Sequence, residues 1–206
     1  PELTETQPPL VTALTGIDAI THALETFVTT KRNRFSVAYS REAWRLLSEN
    51  FPRVLATPEE IEARGGMQLG ACFAGLAIEN SMLGAAHALA NPLTAKFGVT
   101  HGQAVGAMMP HVVRFNAPVA ADAYCELLSV VQASSGLSFS SGVDGIAELI
   151  SGWLELSNLK TRLKDLGVEK SRLAELANLA SQQWTAGFNP RKVDVKQFHK
   201  IYLAAF

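Results

Sequence analysis

The sequence predicts an all-α domain built from about seven to nine helices in a bundle-like arrangement. Apolar residues recur at spacings of three and four along most of the 206 residues, and no segment alternates with a period of two. No glycine-rich nucleotide fingerprint of the strand-turn-helix type is found. A hydrophobic fraction of 48% with 18% charged residues is typical of a globular chain with a full core.

The first nine residues differ from the rest of the chain. Residues 1–9 contain three prolines, no initiator Met and no helical or strand period. We interpret residues 1–9 as an interdomain linker entered from an upstream domain. Residues 10–206 are then the helical domain.

Three helices are predicted in the N-terminal half. Residues 12–30 carry apolar residues at helical spacing after two prolines, and residues 36–50 form a second helix that Pro52 ends. Thr57, followed by proline and two acids, is the expected N-cap of a third helix that runs to residue 78.

The C-terminal half continues the helical pattern. An Ala-rich buried helix is predicted over residues 79–92, a turn over 97–102, and a Ser/Gly loop over 134–141. Pro110 is expected to kink the helix that contains it. The other predicted helices span residues 101–116, 121–133, 143–158, 170–183 and 194–205.

Charge and cysteine content restrict the classes of partner. The net charge of −1 without a basic stripe argues against nucleic acid and anionic membranes as partners. Cys72 and Cys125 are too few for a disulfide framework and are interpreted as buried thiols in a reducing compartment. Because no apolar run or signal pattern is found, we expect a cytoplasmic protein. Core positions are expected for the three tryptophans, Trp44, Trp153 and Trp184.

One carboxylate and three histidines are candidate metal ligands. Asp18 and His22 are four residues apart on a predicted helix, so they share one face. His87 lies in the Ala-rich helix, and His101 precedes a glycine at a helix start. Such a set suits iron(II) or zinc better than calcium or magnesium, which prefer oxygen ligands. Taken singly, each residue also has a structural interpretation, as a surface pair, a core histidine or a turn.

Three separated motifs resemble those of the iron-containing (group III) alcohol dehydrogenases. The first is the segment Gly16-Ile-Asp-Ala-Ile-Thr-His-Ala-Leu-Glu25. The second is Gly84-Ala-Ala-His-Ala-Leu-Ala90, and it continues in Val99-Thr-His-Gly102 and in Arg114-Phe-Asn116. Asn189-Pro-Arg191 resembles the closing segment of the family. The resemblance implies the dehydroquinate synthase-like C-terminal half, with metal ligands at Asp18, His22, His87 and His101.

The resemblance also implies a reaction and its cofactors. We expect reversible hydride transfer between a small alcohol or aldehyde and NAD or NADP, with the metal polarising the substrate oxygen. The metal is expected to be Fe2+, with Zn2+ as the alternative. In this family an N-terminal domain binds most of the dinucleotide, so residues 1–206 alone are expected to be inactive. A homo-oligomer, such as a dimer, is also expected.

Asn91 departs from the family pattern. Many members carry a histidine four residues after the third ligand, where it is discussed as a proton relay. Asparagine does not titrate, so we expect Asn91 to orient substrate or water instead. Glu79 is interpreted as a capping or surface group rather than as a cleft residue. His111 is expected to be structural, and His199 to lie at the surface.

Alternative functions remain open at the level of the sequence. A hydroxyacid-oxoacid transhydrogenase would use the same ligand set. Metal-independent maleylacetate-type reductases typically lack the complete set, and glycerol-dehydrogenase-like members use three ligands. A non-catalytic helical module with core histidines would bind no metal, and metal analysis separates it from the enzymes.

Overall fold

The computed structural model describes residues 1–135, 140 and 142–206, and within them it contains eight α-helices and no strand. The all-α prediction is therefore confirmed for this part of the chain. The helices are α1 (Pro9–Val28), α2 (Arg34–Ala56), α3 (Ile61–Glu79), α4 (Ala85–Phe97), α5 (His101–Ser135), α6 (Val143–Leu156), α7 (Leu173–Ser181) and α8 (Val195–Ala205).

Helix α1 occupies the centre of the packing. It contacts α2, α3 and α5, while α4 packs between α5 and α7. Side chains from α1, α2 and α5 form one apolar core, in which Ile17, Phe27 and Trp44 are fully buried. Of the helices that are described, none has the length and apolarity needed to span a lipid bilayer. The fold thus packs both α1 and α4 against α5.

Proline does not end α2, contrary to the prediction. The helix continues through Pro52 to Ala56, and Phe51 and Val54 are buried in the core. Burial of these apolar side chains offsets the cost of an interior proline, which is about 3 kcal/mol. Thr57 consequently caps the C-terminus of α2 through its N–H, and the prediction that it caps α3 is wrong. Helix α3 begins at Ile61 instead.

The centre of the chain also differs from the prediction. Residues 80–84 separate α3 from α4, so the helix predicted over 79–92 is interrupted at its start. The two helices predicted over 101–116 and 121–133 are one helix of 35 residues, although it contains two prolines. The predicted loop 134–141 falls largely outside the described residues, and α5 itself extends to Ser135.

Two interpretations of individual side chains are wrong. Cys72 and Cys125 are both exposed, so they are not the buried thiols that the sequence indicated. Trp184 is 67% exposed, whereas Trp44 and Trp153 lie in the core as predicted. Apolar neighbours in sequence do not determine whether a side chain on a helix faces the core or the solvent. Because the two thiols are exposed, they give no information about the redox compartment.

Replacing Trp44 with Phe should destabilise the fold by about 2 kcal/mol. The fully buried Trp44 indole donates from Nε1 to the backbone oxygen of Leu127 at 2.9 Å, which ties α2 to α5. Phenylalanine loses this hydrogen bond and leaves a small cavity. Urea unfolding followed by circular dichroism measures the change. Trp184→Phe is the matched control, and equal effects of the two substitutions would contradict the account.

Candidate metal centre

Helix α1 contributes the first two candidate ligands. Asp18 and His22 are one helical turn apart, and the Nε2 atom of His22 lies 3.4 Å from Oδ1 of Asp18. The opposite face of the helix carries Ile17, Ile20 and Leu24, which are buried in the core and fix the rotation of α1 about its axis. The polar pair is therefore directed away from the core side chains and towards α4 and α5.

A tight reversal between α4 and α5 brings the other two histidines together. His87 lies in the first turn of α4, and His101 is the first residue of α5. Gly98 ends α4 with a φ of 64°, a conformation that favours glycine. The ring centroids of His87 and His101 are 5.2 Å apart.

Gly102 allows the start of α5 to approach the backbone of α1 very closely. A Cβ atom at this position would lie 2.1 Å from the carbonyl oxygen of Leu14. Leu14 precedes Asp18 by one helical turn, and Gly102 follows His101 directly. The absence of a side chain at Gly102 therefore allows the start of α5 to bring His101 close to Asp18.

All three imidazoles converge on one oxygen atom. The Nε2 atoms of His87 and His101 each lie 3.5 Å from Oδ1 of Asp18, close to the 3.4 Å of His22. The rings of His22 and His87 stack at a centroid distance of 4.9 Å. Ligand atoms of Asp18, His22 and His87 all lie within 4.8 Å of one another, and His101 lies outside this compact group. His101, with 38% of its side chain exposed, is the most accessible of the four.

The geometry fits a divalent metal better than it fits a hydrogen-bonded cluster. Oδ1 of Asp18 and Nε2 of His87 are buried and have no hydrogen-bond partner. Separations of 3.4–3.5 Å exceed the normal length of a hydrogen bond. Ligands at about 2.0–2.2 Å from a tetrahedral metal would be separated by about 3.3–3.6 Å, which matches the distances from the three histidines to Asp18. One carboxylate and three imidazoles also match the preferences of iron(II) and zinc.

The electrostatics of the metal-free cluster are strongly coupled. Burial lowers the pKa of His22 to about 4 despite the attraction of Asp18. Burial also disfavours the cation of His87, but the charges of Glu25 and Asp18 outweigh it and raise the pKa of His87 to about 9. A metal ion bound here would therefore take the place of a proton on His87.

Glu25 is the residue of the cluster that sequence reasoning missed. Its Oε2 lies 2.6 Å from Nδ1 of His87, and its Oε1 accepts a hydrogen bond from the backbone N–H of Ala86. Glu25 follows Asp18 by seven residues on the same helix. Two helical turns place it on the same face as Asp18, so the spacing could have identified Glu25 as a candidate for the cluster, although not its contact with His87.

A pair of buried amides supports the start of α4. Asn189 accepts from the N–H of Ala85 and exchanges hydrogen bonds with Asn116, which also contacts the hydroxyl of Tyr124. Arg191 donates to the backbone oxygen of Phe115. These contacts join two segments that resembled family motifs in the sequence but had no assigned role.

Asn91 lies one turn after His87 on α4, half-buried, and its amide donates to Oε1 of Gln183 at 3.0 Å. Gln183 lines an open groove together with the exposed Trp184.

Glu79 is exposed at the end of α3, which agrees with its interpretation as a surface group. His111 and His199 are both half-buried and lie outside the four-residue cluster.

The fold and the cluster define a helical domain with a candidate divalent-metal centre. Residues 12–206 match the model of the Fe-containing alcohol dehydrogenase family, C-terminal. The chain belongs to this family, as the sequence motifs predicted.

Known members resemble the chain along nearly its whole length. It is 30% identical to a 1,3-propanediol dehydrogenase of Citrobacter freundii and 29% identical to an NADPH-dependent butanol dehydrogenase of Clostridium saccharobutylicum. These matches cover 97% and 98% of the chain but 52% of each relative, so the chain spans about half the length of the curated relatives it matches.

Solved structures share the fold. A crystal structure of 1,3-propanediol oxidoreductase matches with a TM-score of 0.89 and 29% identity, over 98% of this chain and 53% of its own. A sulfoacetaldehyde reductase from Bifidobacterium kashiwanohense in complex with NAD+ matches with a TM-score of 0.88 and 27% identity, over 100% of this chain and 52% of its own.

Proposed function

We propose that this domain holds one divalent metal ion through Asp18, His22, His87 and His101 and uses it in an alcohol dehydrogenase reaction. The reaction is reversible hydride transfer between a small alcohol and NAD or NADP. The observation that carries the proposal is the convergence of three imidazole nitrogens on one buried carboxylate oxygen that has no hydrogen-bond partner. Family membership supports the same reaction.

Iron(II) is the preferred metal for this site. Four protein ligands complete the tetrahedral shell that is usual for structural zinc. Catalytic zinc commonly has three protein ligands, and its fourth position is open to water or substrate. Iron(II) accommodates four protein ligands and still accepts a further one, so an N3O set favours Fe2+ over Zn2+. When bound, the metal would supply a Lewis acid that polarises the oxygen of the alcohol or aldehyde.

The residues of the chain define how substrate reaches the site. His87 is 4% exposed, and its chain neighbours Ala85, Ala86 and Ala88 are fully buried, so water has little access to its side of the cluster. His101 is the most exposed candidate ligand, so the substrate oxygen approaches from its side. Asn91 lies one turn beyond His87 and offers an amide for orienting substrate or water, without a titrating proton.

The dinucleotide is bound mainly by residues outside this chain. Phosphate groups of NAD or NADP are typically held at a glycine turn between a strand and a helix. The residues that the structure describes include no strand that could form such a turn. We place the hydride carrier opposite the metal-binding wall, with Asp18 and His101 facing the cleft between them.

Metal removal and restoration test this function. The purified protein, prepared with Fe2+ under anaerobic conditions, is expected to contain about one metal ion per chain and to form NAD(P)H with 1,3-propanediol or butanol when the dinucleotide-binding part is present. Chelation should abolish the activity, and Fe2+ should restore it. Full activity in the metal-free protein would refute a role for the metal, and the failure of the wild-type chain to bind any divalent metal would refute the site.

Replacing Asn91 with Ala should reduce turnover by about tenfold without removing a titration step near neutral pH. The amide has no pKa in that range, so the shape of the pH-rate profile should stay the same. Steady-state rates measured between pH 6 and 9 give both quantities. Asn178→Ala, an exposed amide on α7, is the control. Loss of a titration step in the Asn91 variant would contradict the proposed role.

A further inference from the structure

Glu25 is a buried carboxylate that is not one of the four proposed ligands. It is 3% exposed, and no lysine or arginine in the described part of the chain forms an ion pair with it. Both of its oxygens bind the first turn of α4. Oε2 lies 2.6 Å from Nδ1 of His87, and Oε1 accepts from the N–H of Ala86 at 2.7 Å.

Helix capping explains one of these two contacts. The N-cap of α4 is Gly84, which has no side chain to accept from the free N–H groups of the first turn. Asn189 accepts from Ala85 and Glu25 accepts from Ala86, so two distant residues replace the missing cap. A carboxylate is also favoured at the positive end of a helix dipole. Capping leaves the contact between Oε2 and His87 unexplained.

We propose that Glu25 is a positioning residue that keeps a proton on Nδ1 of His87 and directs the Nε2 lone pair towards the metal position beside Asp18. A carboxylate accepts hydrogen bonds and cannot donate them, so Nδ1 must carry the hydrogen atom. The opposite nitrogen, Nε2, lies 3.5 Å from Oδ1 of Asp18 and has no hydrogen-bond partner. Partners of this kind orient metal-binding histidines and increase their basicity.

The contact with Ala86 makes the orientation rigid. Because one oxygen of Glu25 is fixed by the backbone next to His87, the other oxygen cannot follow the ring if it rotates. The ring is also confined by stacking against His22 at 4.9 Å. The inference rests on the proposed function, since it assigns a role towards the same metal ion.

Glu25→Gln separates positioning from capping. The carboxamide oxygen can still accept from Ala86, which leaves the amide NH2 opposite Nδ1 of His87. Nδ1 must then accept, and the proton moves to Nε2, the nitrogen that should bind metal. We expect the dissociation constant for Fe2+ or Co2+ to rise 10- to 100-fold, while the metal-free variant keeps the helical circular dichroism spectrum of the wild type.

Titration of the protein with Co2+, followed by its visible absorption bands, measures the dissociation constant. Glu148→Gln, at an exposed position on α6, is the matched control and should match wild type. If Glu25→Gln binds Co2+ as tightly as wild type, the positioning role is refuted while the metal site stands. If wild type binds no metal, the proposed function fails instead.

A second measurement does not depend on the folding of a variant. In the zinc-loaded wild-type protein, nitrogen-15 NMR of the histidine rings should show a slowly exchanging proton on Nδ1 of His87 and none on Nε2. A proton on Nε2 of His87 would overturn the inference whatever the behaviour of Glu25→Gln.

Discussion

Replacing Asp18 with Asn is expected to lower metal content from about one ion per chain to a small fraction. Asp18 is the only carboxylate among the four proposed ligands, and its Oδ1 is the atom on which His22, His87 and His101 converge. The neutral amide removes the charge that balances a divalent cation in a buried site. The dissociation constant should rise by more than the 10- to 100-fold that is typical for outer-shell partners, and metal-dependent turnover should fall at least as far.

Asp144→Asn is the control for this substitution. Asp144 is an exposed residue on α6 whose contact with Arg114 is long, at 3.4 Å. Metal content measured by mass spectrometry after gel filtration should be normal in this variant. If Asp18→Asn retains full metal content and activity, Asp18 is not a ligand and the cluster is a structural group of histidines.

Replacing Gly102 with Ala is expected to damage the fold and the site together. The new Cβ atom would lie 2.1 Å from the carbonyl oxygen of Leu14 and 2.7 Å from its carbonyl carbon. These atoms belong to the backbone of α1, so they cannot move aside as a flexible side chain would. Overpacking of this kind costs about 1–3 kcal/mol, and occasionally more. Because α5 must move away from α1, His101 should also move away from Asp18.

Two readouts should therefore change in the Gly102→Ala variant. The melting temperature should fall by at least several degrees, and metal affinity should fall in the protein that remains folded. Gly152→Ala is the control, since a Cβ at that position of α6 meets no atom within 4 Å. An unchanged melting temperature in Gly102→Ala would show that α1 and α5 do not approach as described.

The sequence predicted the helices better than it predicted where they end. Periodicity is a local property, and it located the helices that hold Asp18 and Trp153 closely, whereas the helix that holds His87 begins at Ala85 rather than at residue 79. The errors occurred where tertiary packing outweighs local preference. Pro52 lies inside α2 because its neighbours are buried, and α5 continues through Pro118, where a break between two helices had been predicted.

The candidate ligands could be found from the sequence because they lie in motifs that occur in the same order as in the family. The shared face of Asp18 and His22, four residues apart on α1, follows from helix geometry. That His87 and His101 meet this pair could not be derived from spacing, since the approach depends on the turn at Gly98 and the contact at Gly102. The contact between Glu25 and His87 joins residues 62 apart in sequence, so only the three-dimensional packing reveals it.

X-ray absorption spectroscopy at the iron edge tests the central claim most directly. In the protein loaded with one Fe2+ per chain, we expect nitrogen and oxygen neighbours at about 2.0–2.2 Å, with the outer-shell scattering of three imidazole rings. The His101→Ala variant should lose one ring from this signal. A spectrum without imidazole scattering, or one that is unchanged in the variant, would contradict the assignment of the metal to Asp18, His22, His87 and His101.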